Sequence, residues 1–272
     1  PPLNYTGTAS VTITAGDLGA SGAGGALSDS DTVDITVNPV DDAPTLDLDA
    51  DDSSGAAGAN FSRTFTENGG SRLVADADAV LADADSANLA SLIVTLTNPL
   101  DRAAESLSAN TTGTLITASY NAGTGVLTLN GADTVANYQT VLRTVRYDNT
   151  SEAPTATPRV ITFVASDGAS ASNVGTATVT VNAVNDDPVA TITAASYTAT
   201  ENVALDLHGT GLAVSDIDAL ATSVVTVYLD SISGLLSATA GTTGVTIAGS
   251  GSPSLTFTGT MTQINSLLAG SG

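Results

Sequence analysis

Acidic side chains recur in one fixed order along this chain. The phrase VNPVDDAP (37–44) supplies Asp41 and Asp42, FTEN supplies Glu67, LADADS supplies Asp83 and Asp85, and an Asp-Gly turn supplies Asp167. The phrase then returns 144 residues on, Val37 to Val181, as VNAVNDDP with Asn185, Asp186 and Asp187, followed by Glu201 in ATEN and by Asp216 and Asp218 in SDID. These residues offer oxygen donors only. Ca2+ takes six to eight oxygens at about 2.3–2.6 Å from carboxylates, Asn and backbone carbonyls, and needs neither His nor Cys. Without a cation, carboxylates gathered at one place repel by about 1 kcal/mol per pair at 4 Å in water and about 4 kcal/mol at an effective dielectric of 20. Bound calcium would turn that repulsion into a clamp.

The composition narrows the partners. Six Arg and no Lys face 28 acids, a net charge of −22, which argues against nucleic acid and anionic membrane surfaces and makes cations the natural ligands. Only Glu67, Glu105, Glu152 and Glu201 are Glu, so the bias is to Asp, a short carboxylate suited to turns and hard-cation sites. Absence of Cys removes disulfides and thiol chemistry. No apolar run approaches the roughly 20 residues needed to cross a membrane, and PPLNYTG has no basic leader, so any secretion signal is expected outside this sequence.

Catalysis finds little to build on. The single His208, beside Asp206, reads as an exposed or hydrogen-bonded strand-end residue, and there is no GxSxG. Glu105 and Glu152 have no context that would make them a glycosidase pair. GASGAGG (19–25) lacks the Lys of a phosphate loop and reads as a flexible turn. Asn-X-Ser/Thr occurs at Asn4, Asn60, Asn110 and Asn149. The chain is not expected to be an enzyme.

The elements that must hold the acids are strands. ASVTITA, DTVDITV, FSRTFTEN, SLIVTLTN, TLITASYN, GVLTLNG, TPRVITFVAS and GTATVTV alternate or run apolar at the spacing of a sandwich. One helix interrupts them: Asp133 is placed to cap a turn in which Val135, Tyr138, Val141 and Leu142 fall at helical spacing, for core packing. The core is built from Val, Leu, Ile and Ala, since aromatics are 4% and Trp is absent. The fold class is therefore all-β, tandem sandwich domains with one short helix per repeat. Segment comparison divides the chain into the back half of a domain (1–42), a complete domain (43–187) and the front part of another (188–272). YTATENVALDL matches FSRTFTENGG, AVSDIDA matches VLADADS, and SLTFTGTMTQINSLL matches the helix-bearing segment. Half-sandwiches leave apolar faces and edges that neighbouring repeats of the same chain or identical subunits are expected to cover.

The segment FVASDGASASNVGTATVTVNAVNDDP (163–188) resembles the close of a cadherin repeat, with its AxDxG turn, final strand and DxNDNxP linker. The TEN glutamates and the DAD and DID loops resemble that family's first-strand Glu and DxD ligands. The resemblance implies tandem Greek-key (cadherin/Ig-like) β-sandwich domains with calcium between successive domains. It is closer still to the cadherin-like repeats of giant bacterial adhesins and repeats-in-toxin surface proteins, with their NDAP-type junctions, small-residue loops and few lysines. NDDP (185–188) and DDAP (41–44) lack the family's final linker Asn, and the LDRE segment is missing, which implies fewer ions per seam and fewest at 41–44.

Together these readings give an expected function: a calcium-stabilised structural segment of a large bacterial cell-surface or secreted adhesin or filament, a stiff extender whose metal-binding set is the twelve residues named at the outset. The alternative is an adhesive module that itself binds carbohydrate or protein, which calls for clustered aromatics; the six Tyr are scattered.

Overall fold

A computed structural model describes residues 2, 4–19 and 23–271; residues 20–22 of the turn read at 19–25 lie outside it. The chain divides into two compact units, Pro1–Ser151 with Thr155–Asn182, and Glu152–Pro154 with Ala183–Gly272. Among the described residues both are all-β but for one short α-helix each and a 3-10 turn at Arg102–Ala104 in the first.

The first unit begins with β1 (Gly7–Gly16) and β2 (Ser28–Val37), an antiparallel hairpin in register from Gly7 opposite Val37 to Gly16 opposite Ser28. Its polar face carries a hydroxyl ladder, Thr12 to Thr32 at 2.9 Å and Thr14 to Ser30 at 2.7 Å. The sandwich follows: β3 (Thr45–Asp47), β4 (Phe61–Thr66), β5 (Arg72–Leu73), β6 (Val80–Ala82), β7 (Asn88–Leu96), β8 (Glu105–Ser108), β9 (Thr117–Asn121), β10 (Val126–Thr134), α1 (Val135–Leu142), β11 (Arg146–Asn149), β12 (Arg159–Ser166) and β13 (Gly175–Asn182). One sheet runs β4-β13-β12-β7-β10-β9, a second runs β5-β11-β8, and β3 pairs with β6. All pairs are antiparallel except β4 with β13.

Alternation explains the packing. In β12 every second residue, from Arg159 through Ile161 and Phe163 to Ala165, is fully buried, and in β7 Leu92, Val94 and Leu96 face the same core. The second sheet contributes Leu107 and Tyr147, and the Phe65 and Tyr147 rings meet edge-on, centroids 5.4 Å apart. Gly125, at φ +70°, closes the β9–β10 hairpin where a Cβ would lie 2.5 Å from the Leu96 carbonyl oxygen.

Helix α1 forms where its spacing predicts, burying Tyr138, Val141 and Leu142, but the cap differs. Thr134 is the N-cap, accepting the Asn137 N–H at 3.2 Å, while Asp133 sits one residue earlier. Its carboxylate accepts the Leu115 and Thr134 N–H groups and the Asn137 amide, each at 2.7 Å. Tyr138 donates to the carbonyls of Ala90 and Gly131, and burial together with the Asp133 charge pushes its phenol up to about 12. Asn149, one of the glycosylation-pattern residues, is buried and donates to Asp101 at 2.7 Å, which closes it to modification.

The second unit comprises β14 (Val189–Ile192), β15 (Leu212–Ser215), β16 (Val224–Asp230), β17 (Thr246–Ala248), β18 (Ser254–Thr260) and α2 (Met261–Leu268). β14 pairs with β15, and β16-β18-β17 form a sheet over a smaller core of Val245, Leu255, Phe257, Ile264, Leu267 and Leu268. The repeat is visible in detail. Gln139 of α1 accepts the Leu81 N–H at 3.1 Å, and Asn265 of α2 brackets both backbone groups of Val214 at 2.9 and 2.8 Å. One expectation fails: YTATENVALDL forms no strand beyond Ile192, and Glu201 lies in an exposed turn. In the first unit the matching β4 is held by β13; among its described residues the second unit contains no counterpart of β13.

Candidate metal centres

Strand direction sorts the acids. β12 runs into Asp167 and β7 starts after Asp83 and Asp85, so these three lie at the end of the sandwich where residues 41–44 come in. There they are stitched together. The Asp42 N–H donates to Asp85 Oδ2 at 3.3 Å, and the Ser170 hydroxyl donates to Asp41 while the Ser170 N–H donates to Asp167 at 2.8 Å. Asp83 Oδ1 accepts the N–H groups of Asp85 (3.1 Å) and Ser86 (2.7 Å).

The second unit repeats this geometry. The Asp186 N–H donates to Asp218 Oδ2 at 2.5 Å, and Asp216 Oδ1 accepts the N–H groups of Asp218 (3.0 Å) and Ala219 (3.2 Å). Asn185 donates its side-chain amide to the Asp186 carbonyl at 3.0 Å. Asp186, Asp187, Asp216 and Glu152 line one surface hollow with Val189, Ser215 and Ile217.

Each DxD loop is bonded to the junction phrase that precedes it, Asp85 to Asp42 and Asp218 to Asp186. Glu67 stands at the other end of the first sandwich, buried just past β4, its N–H bonded to the Asn182 carbonyl at 3.0 Å. Glu201 has no such seat.

Electrostatics mark both clusters as short of positive charge. Burial and the Asp83 and Asp41 carboxylates push the Asp85 carboxyl above its ordinary value, against the Asp42 N–H. Burial and the charges of Asp218, Glu152, Asp216 and Asp187 do the same to Asp186. Asp167 moves down, because the Ser170 and Ala169 N–H groups outweigh burial. One oxygen each of Asp83, Asp167 and Asp186 is buried without a hydrogen-bond partner, which costs free energy that a bound cation would relieve. The residues present therefore fit Ca2+.

A further acidic group escaped the sequence reading. Asp49, Asp76 and Asp78 bring carboxylate oxygens within 4.8 Å of one another, because the β3–β6 pairing sets Asp47 opposite Val80. Asp49 is fully buried and accepts the Ser53 and Ser54 N–H groups at 3.1 and 2.8 Å. Two DxD runs close together, DLDAD and DAD, were the available signal.

Glu105 is engaged elsewhere. It and Asp101 pair with the fully buried Arg159, Asp101 at 2.6 Å, and Tyr147 donates to Glu105 at 2.8 Å. Arg159 also donates to the Thr155 and Thr157 carbonyls. Burial raises the Asp101 carboxyl, but hydrogen bonds from Thr155 and Asn149 and the Arg159 charge prevail and hold it below the usual range. His208 pairs with Asp206 at 2.9 Å, half exposed.

No family profile and no curated protein sequence matches the chain. Solved structures with a similar outline include protocadherin gamma B2 extracellular cadherin domains 1-5, at 17% identity and TM-score 0.33 over 94% of this chain and 39% of that one. The protocadherin gammaB7 EC3-6 cis-dimer gives 17% and 0.34 over 94% and 50%, and the human desmocollin-1 ectodomain 12% and 0.24 over 86% and 34%. The chain spans half or less of each. Among the described residues no helix is long and apolar enough to cross a membrane.

Proposed function

We propose that this chain is a calcium-stabilised, cadherin-like structural segment of a large bacterial cell-surface or secreted adhesin or filament, working outside the cell as a stiff extender. One observation carries the reading: the same linker-to-DxD geometry occurs at two junctions, each with buried carboxylate oxygen left without a partner. Asp41, Asp42, Asp83, Asp85 and Asp167 would hold calcium at the first junction, and Asn185, Asp186, Asp187, Asp216 and Asp218 at the second. Calcium supplies the charge that these acids lack. The protein's own part is to bring each linker onto the sandwich that follows and fix its direction, so that a tandem array resists bending. Neighbouring repeats or identical subunits complete the partial domains. Glu67 is retained as a ligand at the end of β4, and Glu201 joins only where its turn becomes ordered as Glu67 is.

Thermal unfolding in millimolar Ca2+ and in chelator, with small-angle scattering in parallel, tests this. Calcium should raise the transition temperature and lengthen the particle; identical curves and identical scattering would remove the metal from the function.

A further inference from the structure

The runs DLDADDSS (47–54) and DAD (76–78) meet inside the first unit, away from either junction phrase. β3 pairs with β6, Asp47 opposite Val80, and just beyond that pair the Asp76 N–H donates to the Leu48 carbonyl at 2.8 Å, which carries Asp76 and Asp78 to Asp49. One carboxylate oxygen from each of the three lies within 4.8 Å of the other two. Asp83 of the first junction follows the opposite end of the same strand, five residues after Asp78 and so about 16 Å from it at the rise of a strand. An ion held by Asp49, Asp76 and Asp78 would be a different ion.

Burial without countercharge separates this group from acids that merely occupy a turn. Asp49 is 0% exposed, and Asp78 Oδ1 is buried with no hydrogen-bond partner. The chain has no Lys, and among the described residues no Arg or His nitrogen comes within 4.0 Å of any of the three carboxylates. A buried anion in that position is costly unless a cation joins it. The hydrogen bonds orient Asp49 without neutralising it: Oδ1 accepts the Ser53 N–H and hydroxyl, and Oδ2 accepts the Ser54 N–H at 2.8 Å. A carboxylate has about four acceptor positions, so one remains. Asp76 accepts the Ala77 and Asp78 N–H groups through Oδ1 alone.

The second unit has lost all three acids together. Ala190 pairs with Val214 as Leu46 pairs with Leu81, which puts Thr193 at the place of Asp49, Gly209 at that of Asp76 and Gly211 at that of Asp78. The backbone approach survives without the charge. The Thr193 N–H donates to the Gly211 carbonyl at 3.1 Å, and a Cβ on Gly211 would lie 1.7 Å from the Thr193 hydroxyl oxygen. The junction acids just downstream are kept, Asp83 and Asp85 as Asp216 and Asp218. Three carboxylates exchanged as a set for neutral residues, beside acids that are retained, serve one purpose of their own. We propose that Asp49, Asp76 and Asp78 bind a Ca2+ ion internal to the first sandwich, which ties the loop 49–55 to the start of β6. Backbone carbonyls and water would supply the rest of its six to eight oxygens.

This site goes beyond the junction calcium and does not depend on it. Hydrogen exchange of the full chain, resolved to single amides and followed through a Ca2+ titration from chelator, reads the two separately. Ca2+ should slow exchange of the Ser53, Ser54, Ala77 and Asp78 N–H groups by about tenfold. Asp78→Asn keeps the shape and removes the charge of a side chain whose buried oxygen bonds to nothing, and Asp76→Asn does the same at a second position. Each should raise the Ca2+ concentration for half protection of those amides by at least about tenfold, with exchange across β7 and β12 in chelator unchanged and the Asp42 and Asp186 N–H groups keeping their own midpoint. Protection of the loop without any response at Asp42 and Asp186 supports this site and removes the junction metal; the reverse result overturns this site alone. Protection reproduced by NaCl at equal ionic strength, or a midpoint unchanged in both variants, also overturns it, leaving an acidic cluster that is only screened.

Discussion

The hairpins β12–β13 and β1–β2 have the same register and the same alternation, yet one lies inside a six-stranded sheet and the other, among the described residues, pairs with no further strand and is exposed on both faces. Alternation specifies a strand and its faces; burial depends on which neighbours are present. The covered hairpin also carries something that the bare one lacks. Arg159 stands where β1 has Ala9, and around it Asp101, Glu105, Tyr147 and two backbone carbonyls form a buried network. Such a network is stable only if every member is satisfied.

Removing that difference gives the largest expected effect. Arg159→Ala leaves Asp101 and Glu105 without their cation, and should cost the first sandwich about 3–5 kcal/mol while leaving the second unit's transition in place. Urea unfolding followed separately through Tyr147 and Tyr228 checks both halves of the statement. The pH dependence has a definite sign. A carboxyl whose folded pKa lies below its unfolded value stabilises the fold above the unfolded pKa, and loses that contribution as pH falls through the folded one. For Asp101 the loss therefore begins below about pH 4 and the slope should flatten in Asp101→Asn. A wild-type first sandwich insensitive to acid in that window would show that the ion pair contributes no stability.

A second contrast lies just after the junction phrases. Asp49 closes β3 and holds the Ser53–Ser54 loop, whereas the corresponding position in the second unit is Thr193 and no serine loop follows. Asp49→Ala releases two N–H groups and a hydroxyl, an expected loss of about 1–3 kcal/mol from the first sandwich. Asp49→Asn keeps an acceptor and should recover part of it. Equal destabilisation by both in chelator would mean that charge, not hydrogen bonding, holds the loop.

How far the sequence could be read follows from the same physics. Long alternating runs such as RVITFVAS and VLTLNG were legible because their own periodicity names the buried face. β3, β5, β6 and β8, two to four residues each, were not, since their partners define them. The acids of the junctions were legible as a set, but not their grouping, because it depends on the end at which each strand terminates. Asp49, Asp76 and Asp78 meet only through the β3–β6 pairing. Arg159 sits at an inward position of an alternating strand, and nothing local told that Asp101 and Glu105 wait opposite it. Asp133 and Thr134 are both good capping residues, so composition could not choose between them.

The helices give the smallest and most discriminating contrast. Thr134 caps α1 through one hydrogen bond, with Asp133 securing the preceding loop; Thr260 caps α2 through a reciprocal box, its hydroxyl accepting the Gln263 N–H at 3.3 Å while Gln263 accepts the Thr260 N–H at 2.8 Å. Either Thr→Ala change should cost about 1 kcal/mol. The consequences should differ, because α1 rests on β6, β7 and β10 of a complete sandwich whereas α2 rests on β15 and β18 of a smaller core. Hydrogen exchange should therefore show Thr260→Ala releasing the amides of the whole of α2, and Thr134→Ala only those of the first turn of α1. Equal fraying of both helices would show that the larger core under α1 gives it no more protection than the smaller core gives α2.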